Sequence, residues 1–155
     1  MSTLPNTVTT YNGKTIETKG KVLLIVNMAS GCGLCDSTLP KLFELCANNP
    51  EVVCLLYPSN DFNQEPKSEE EIMTYLTETF GTLHPNMNLM SKIRLRGEST
   101  DPMYSYLINN TYYLKIFSAI RWNYEKFVVC PDGHIERFSP LDSMDQVGLF
   151  IQGFI

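Results

Sequence analysis

Apolar and polar positions along the chain fall into two kinds of pattern. Lys21–Met28 (KVLLIVNM) is a near-continuous apolar run, as expected of a strand buried on both faces. From Leu39 the period changes: Leu39, Leu42, Phe43, Leu45 and Cys46 share one helical face, and Asn48-Asn49-Pro50 stops the helix. A second apolar run, Val52–Tyr57 (VVCLLY), ends at Pro58. Strand, helix and strand in such close succession predict a right-handed βαβ unit with parallel strands.

The pattern continues through the rest of the chain. Ser68 with Glu71 three residues on predicts a capping box, followed by a helical face of Ile72, Tyr75, Leu76, Thr79 and Phe80 that Gly81 closes. Asp101-Pro102 before MYSYL predicts a short helix. Lys126–Val129 and His134–Ser139 flank Pro131-Asp132-Gly133, a hairpin signal. The tail from Ser143 carries Val147, Phe150 and Ile151 on one face, with Gln146 completing a cap, although Gly148 and Gly153 weaken that helix. Around NGKTIETKG a small N-terminal hairpin is expected. The predicted class is α/β, thioredoxin-like, with a central mixed sheet flanked by helices.

At 155 residues the chain suits one domain, 1–155, with a substantial core. Its net charge of −5 comes from scattered acids, and no basic stripe is present to follow a phosphate backbone, so nucleic acid is not an expected partner. The opening residues lack a basic and apolar leader pattern, and the longest aliphatic run, Val22–Val26, is too short to span a bilayer. A cytoplasmic location without a membrane span is therefore expected. Five cysteines at irregular spacing do not suggest a disulfide framework. Zinc would need a second paired motif, which Cys46, Cys54, His84 and His134 do not supply, so no bound metal or cofactor is expected.

Thiol chemistry is left, at Cys32-Gly33-Leu34-Cys35. The pattern places Cys32 where a strand gives way to a helix, and unpaired N–H groups in a helix's first turn favour a thiolate. Gly31 and Gly33 allow a tight turn and an approachable sulfur, while Asp36 opposes the negative charge.

Several blocks together resemble the glutathione peroxidase family: GKVLLIVNMASGCG at Gly20–Gly33, LLYPSNDFNQEP at Leu55–Pro66 and RWNYEKFVV at Arg121–Val129, with SKIRLRG, DPMYSYL and RFSP in the expected order. The resemblance implies that Cys32 stands where the family has its peroxidatic selenocysteine or cysteine. It also implies that Gln64, Trp122 and Asn123 complete the catalytic set around it. These side chains offer amide and indole N–H donors, none of which titrates. Thiolate attack on a peroxide O–O bond leaves a sulfenic acid, and such donors steady the developing oxyanion.

The chain departs from the family pattern in four places. Asp61 stands where glutamine is usual and its loop is one residue shorter; LHPNMNLM at Leu83–Met90 is longer. No resolving cysteine lies near Leu76, and Cys35 replaces a threonine. Glutathione, Cys35 or another, thioredoxin-like thiol are the three candidates to capture the Cys32 sulfenic acid, which makes Cys35 a candidate resolving residue.

The leading expectation is a thiol-dependent peroxidase, active as a monomer on hydrogen peroxide or on organic or lipid hydroperoxides. Arg94, Arg96, Arg121 and Lys126 are candidates to meet the carboxylates of glutathione. Two other functions fit the same elements: disulfide exchange through the CxxC, and a catalytically silent interaction domain. Against disulfide exchange, WNYEKF lacks the proline that a thioredoxin places before its hairpin strand.

Overall fold

The computed structural model describes residues 3–111 and 119–154. Its centre is β3 (Leu23–Met28), in which every residue is buried. Apart from Asn27 the strand is apolar, because both of its faces are covered. Leu24, Val26 and Met28 point into one half of the core, and Leu23 and Ile25 into the other. The βαβ unit forms as expected: α1 (Cys35–Asn48) leads to β4 (Val53–Pro58), parallel to β3. The last apolar stretch is the hairpin β6 (Lys126–Val129) and β7 (Ile135–Phe138), with β6 antiparallel to β3.

Among the described residues the sheet has five strands, one of which the apolar pattern does not predict. Met87–Leu89 forms β5, parallel to β4, at the edge opposite β7, giving the order β5-β4-β3-β6-β7. Sequence periodicity missed it because three residues are too few to establish alternation. Its partners are what make it a strand: Met87 and Leu89 pack into the core below, and the Asn88 amide caps the Cys54 carbonyl at 3.1 Å. The stretch in which LHPNMNLM exceeds the family pattern therefore contains a sheet edge.

α1 packs on one side of the sheet with α2 (Glu69–Phe80) and α4 (Met144–Gln152). Both capping boxes are present, Ser68 with Glu71 and Ser143 with Gln146. α4 forms despite Gly148 because Val147 and Ile151 are fully buried, and packing of an apolar face outweighs about 1 kcal/mol of helix propensity. On the other side lie α3 (Pro102–Asn109), capped by Asp101, and a two-stranded hairpin of β1 (Thr7–Thr9) and β2 (Thr15–Glu17).

Three charged groups are buried beside the hairpin. Arg137 Nη2 donates to Glu125 Oε2 at 2.9 Å, and both side chains are almost wholly enclosed. Lys126 Nζ donates to the carbonyls of Ser139, Pro140 and Asp142 at 2.8–3.2 Å. Burial pulls its ammonium down to about 8. Lys126 therefore holds the turn after β7 and does not meet a soluble anion.

Candidate active site

The parallel strands β3 and β4 end side by side, and ligand sites of open α/β sheets lie beyond such carboxyl ends. Three chain segments meet there. The first, Ala29–Leu34, leaves β3. The second, Asp61–Glu65, leaves β4. The third, Trp122–Glu125, runs in antiparallel fashion past the end of β3 into β6, with the Tyr124 N–H donating to the Asn27 carbonyl at 2.7 Å.

Cys32 is 6 % exposed, between the exposed Gly31 and Gly33. Its sulfur accepts the Leu34 N–H at 3.5 Å. The helix begins later than expected: Leu34 is its N-cap and Cys35 its first residue. Cys32 thus precedes the helix, and it is Cys35 that occupies the first turn. The N-cap Leu34 makes no side-chain hydrogen bond, so first-turn N–H groups are left without the usual cap.

Gln64 joins the first two segments through its backbone, its carbonyl accepting the Gly31 N–H at 2.9 Å. Its side-chain Oε1 accepts from Asn123 Nδ2 at 3.1 Å, bringing in the third. Asn123 is fully buried, and Asn27 Nδ2 donates to the Trp122 carbonyl at 3.0 Å. The Trp122 ring is 38 % exposed and rests on Phe62, with centroids 5.2 Å apart. Among the described residues the Gln64 amide NH2 and the Trp122 indole N–H make no hydrogen bond to the Cys32 sulfur or to any other protein group. Of the four predicted residues, Gln64 and Asn123 are thus in direct contact, and Gln64 reaches the Cys32 loop through its backbone.

Gly31 is required by this crossing. A Cβ on it would lie 2.7 Å from the Gln64 carbonyl oxygen, a backbone atom that cannot swing aside. Gly33 is unconstrained, since a Cβ there would meet nothing within 4 Å. Gly31→Ala is expected to cost about 1–3 kcal/mol of stability, as overpacking does. It should also slow peroxide consumption by roughly a hundred-fold, because the three segments separate. Gly33→Ala serves as the control in thermal unfolding and stopped-flow assays; equal effects from the two substitutions would refute the argument.

Glu65, which no sequence motif singles out, is fully buried and clamps the residue before Gly31. It accepts from the Ser30 N–H at 2.6 Å and from the Ser30 hydroxyl at 2.7 Å. Nothing in the sequence separates it from the exposed acids of α2. Asp61 offsets the shorter loop: its carboxylate accepts the Leu95 N–H at 2.6 Å and pairs with Arg94 at 2.6 Å. Arg96 donates twice to the Ile120 carbonyl and lies 4.7 Å over the Phe62 ring. Of the basic residues expected to meet glutathione, Lys126 is buried within the fold, whereas Arg94, paired with Asp61, and Arg96, bonded to the Ile120 carbonyl, remain exposed.

Cys35 has its own surroundings. Its sulfur lies 2.9 Å from the Ala29 carbonyl and 2.9 Å from the Tyr124 hydroxyl, and Tyr75 is its other polar neighbour. Burial pushes its thiol up, against the lowering effect of both hydroxyls. Cys46 and Cys54 are fully buried in the core, and burial also pushes Cys130 up to about 11. All five cysteines are free thiols.

Comparison with solved structures places this fold among thioredoxin-like proteins. The T. cruzi GPX1 structure superposes with a TM-score of 0.71 at 24% identity, covering 96% of this chain and 92% of that one. A thiol:disulfide interchange protein of the thioredoxin family from Chlorobium tepidum TLS gives 0.70 at 14% identity, covering 99% of this chain and 95% of that one. Sequence comparison separates the two resemblances. Residues 6–108 match the family described as glutathione peroxidase. Probable glutathione peroxidase 2 of Arabidopsis thaliana is 40% identical over 129 residues, 81% of this chain and 74% of that one. Glutathione peroxidase-like peroxiredoxin 2 of Saccharomyces cerevisiae is 38% identical over 137 residues, 84% and 82% of the two chains. With its fold and these matched lengths, the chain belongs to the glutathione peroxidase family, the thiol-dependent peroxidases of the thioredoxin-like class.

Proposed function

We propose that Cys32 is the peroxidatic residue of a single-domain, monomeric cytoplasmic enzyme that reduces hydrogen peroxide and organic or lipid hydroperoxides. The observation that carries this reading is the junction at Gln64, whose backbone holds Gly31 at 2.9 Å and whose side chain holds Asn123 at 3.1 Å. The Cys32 thiolate attacks the distal peroxide oxygen, the O–O bond breaks, and the alkoxide leaves as an alcohol after taking a proton. Cys32 is then a sulfenic acid.

Asn123 spends its NH2 group on Gln64, which orients the Gln64 amide and leaves that group's own NH2 free to donate. With the Trp122 indole N–H it can hold the sulfur and the leaving oxygen, donors aimed where charge develops. A thiol co-substrate, glutathione or a thioredoxin-type dithiol, returns Cys32 to the thiol with release of water. Disulfide exchange as the main activity is less well supported: Tyr124 stands just ahead of β6, where a thioredoxin places its proline. No helix among the described residues is long and apolar enough to cross a membrane.

The reading is tested by exposing the reduced protein to one equivalent of hydrogen peroxide and then alkylating all remaining thiols under denaturing conditions. Cys32 should lose its free thiol while Cys46, Cys54 and Cys130 keep theirs. Peroxide consumption with Cys32 still fully alkylated would overturn it.

A further inference from the structure

We infer that Cys35 is the resolving thiol of this enzyme, closing a Cys32–Cys35 disulfide, and that Tyr124 is its positioning residue. The inference rests on the peroxidatic reading of Cys32.

The backbone already has the required shape. The Cys35 N–H donates to the Cys32 carbonyl at 3.1 Å, and Leu34 at φ −81°, ψ −6° occupies the third position of a type I turn. A β-turn keeps its end Cα atoms within about 7 Å, and disulfides bridge Cα atoms roughly 4.4–6.8 Å apart. Cys32 and Cys35 are the ends of this turn, so the bond needs side-chain rotation and little backbone movement.

The second observation is the state in which Cys35 waits. In the reduced protein its S–H is well placed to donate to the Ala29 carbonyl at 2.9 Å, and the Tyr124 hydroxyl lies within 3.1 Å of that same carbonyl. A carbonyl accepts but cannot donate, so this arrangement favours the neutral thiol and keeps Cys35 from competing for peroxide. The Tyr124 hydroxyl also touches the sulfur, at 2.9 Å. Rotation about its C–O bond moves its proton from Ala29 to Cys35 as negative charge develops there. Tyr75 is the other hydroxyl against Cys35, and burial raises its phenol, with Cys35, Asp36 and Glu65 adding to that rise.

Tyr124 is held in place at a cost. Its φ is +66°, a left-handed conformation that bulky side chains rarely adopt and that persists only when neighbours impose it. Here the Asn27 carbonyl fixes its N–H, and Ala29 with Cys35 fixes its hydroxyl.

In the resolving step the Cys35 sulfur attacks the Cys32 sulfur. The S–S bond forms and the S–O bond breaks, and the departing hydroxide leaves as water with the Cys35 proton. A dithiol reductant then reduces the disulfide, restoring two thiols and leaving oxidised itself. Because the oxidised enzyme holds a disulfide, the matching reductant class is a dithiol protein.

The test adds one equivalent of hydrogen peroxide to the reduced protein, stops the reaction at intervals and maps the cysteine products by mass. The wild type should accumulate a Cys32–Cys35 disulfide, and Cys35→Ser should accumulate Cys32 sulfenic acid that a 1,3-diketone captures. Tyr124→Phe should slow disulfide formation by about tenfold, the worth of one hydrogen bond, and move the pH profile of that step to higher pH. Wild-type protein that keeps Cys32 sulfenic acid beside a free Cys35 thiol would overturn the inference while leaving Cys32 peroxidatic. An unreacted Cys32 would instead overturn the peroxidatic reading. If Tyr124→Phe slows disulfide formation with no change in its pH profile, Tyr124 is only structural and its assignment falls.

Discussion

Cys32→Ser is expected to lower hydroperoxide turnover by at least about a thousand-fold, the scale on which removal of a nucleophile acts. A serine hydroxyl stays protonated at neutral pH, whereas a cysteine supplies some thiolate even without help. The oxygen also cannot be carried through the sulfenic acid that links the two halves of the cycle. The fold should survive, because among the described residues the one hydrogen bond to the Cys32 sulfur is the long one from the Leu34 N–H, at 3.5 Å, and serine can accept it. Turnover with a thiol reductant in excess measures the effect, and denaturant unfolding checks the fold. Cys46→Ser is the comparison: it puts a hydroxyl into the core and costs about 1–3 kcal/mol but leaves Cys32 in place. A Cys32→Ser protein with more than a few per cent of wild-type turnover would remove this residue from the chemistry.

Glu125→Ala is expected to cost about 3–5 kcal/mol of folding stability, the penalty for stranding one member of a buried ion pair. Arg137 would keep its bonds to Thr111 and the Ala119 carbonyl and its place 5.1 Å over the Phe127 ring. Its charge, however, would have lost the Glu125 carboxylate with almost no access to water. Burial raises the Glu125 carboxyl more than Arg137 lowers it. The stability linked to that raised value is present below the ordinary glutamate range and is lost as pH rises through the folded value. The cost of burying two charges offsets much of what such a pair gains, and removing one partner is worse than removing both. Replacing both residues with apolar side chains of similar size should consequently come close to wild type. Urea unfolding of the single and double variants near pH 7 decides the matter; a single variant within about 1 kcal/mol of wild type would show that water reaches Arg137. Because Glu125 directly follows Asn123 and Tyr124, the same loss should loosen the third segment of the site.

How much of this was legible in the sequence differs from element to element. β3 and α1 were readable because each is long enough for its apolar period to register, six residues fully buried in one and seven buried residues on one face of the other. α2 and α4 announced themselves through caps, which are local in sequence. β5 was not readable, because three residues become a strand only where β4 offers them hydrogen-bond partners. Lys126 misled for a similar reason: it looks solvent-facing in a sequence, and its ammonium is committed to carbonyls 13 or more residues away.

The order of elements, the place of Cys32 at the end of a buried strand and the family blocks that surround it can all be read along the chain, because apolar periodicity and short motifs are local properties. Which distant residues touch is set by the folded arrangement of the strands. It joined Gln64 to Asn123 across 59 positions, made Gly31 a crossing point, and buried Glu65 under Ser30. It also set the Tyr124 hydroxyl against Cys35 across 89 positions. These contacts depend on which strands lie side by side in the sheet, and no local pattern carries that information.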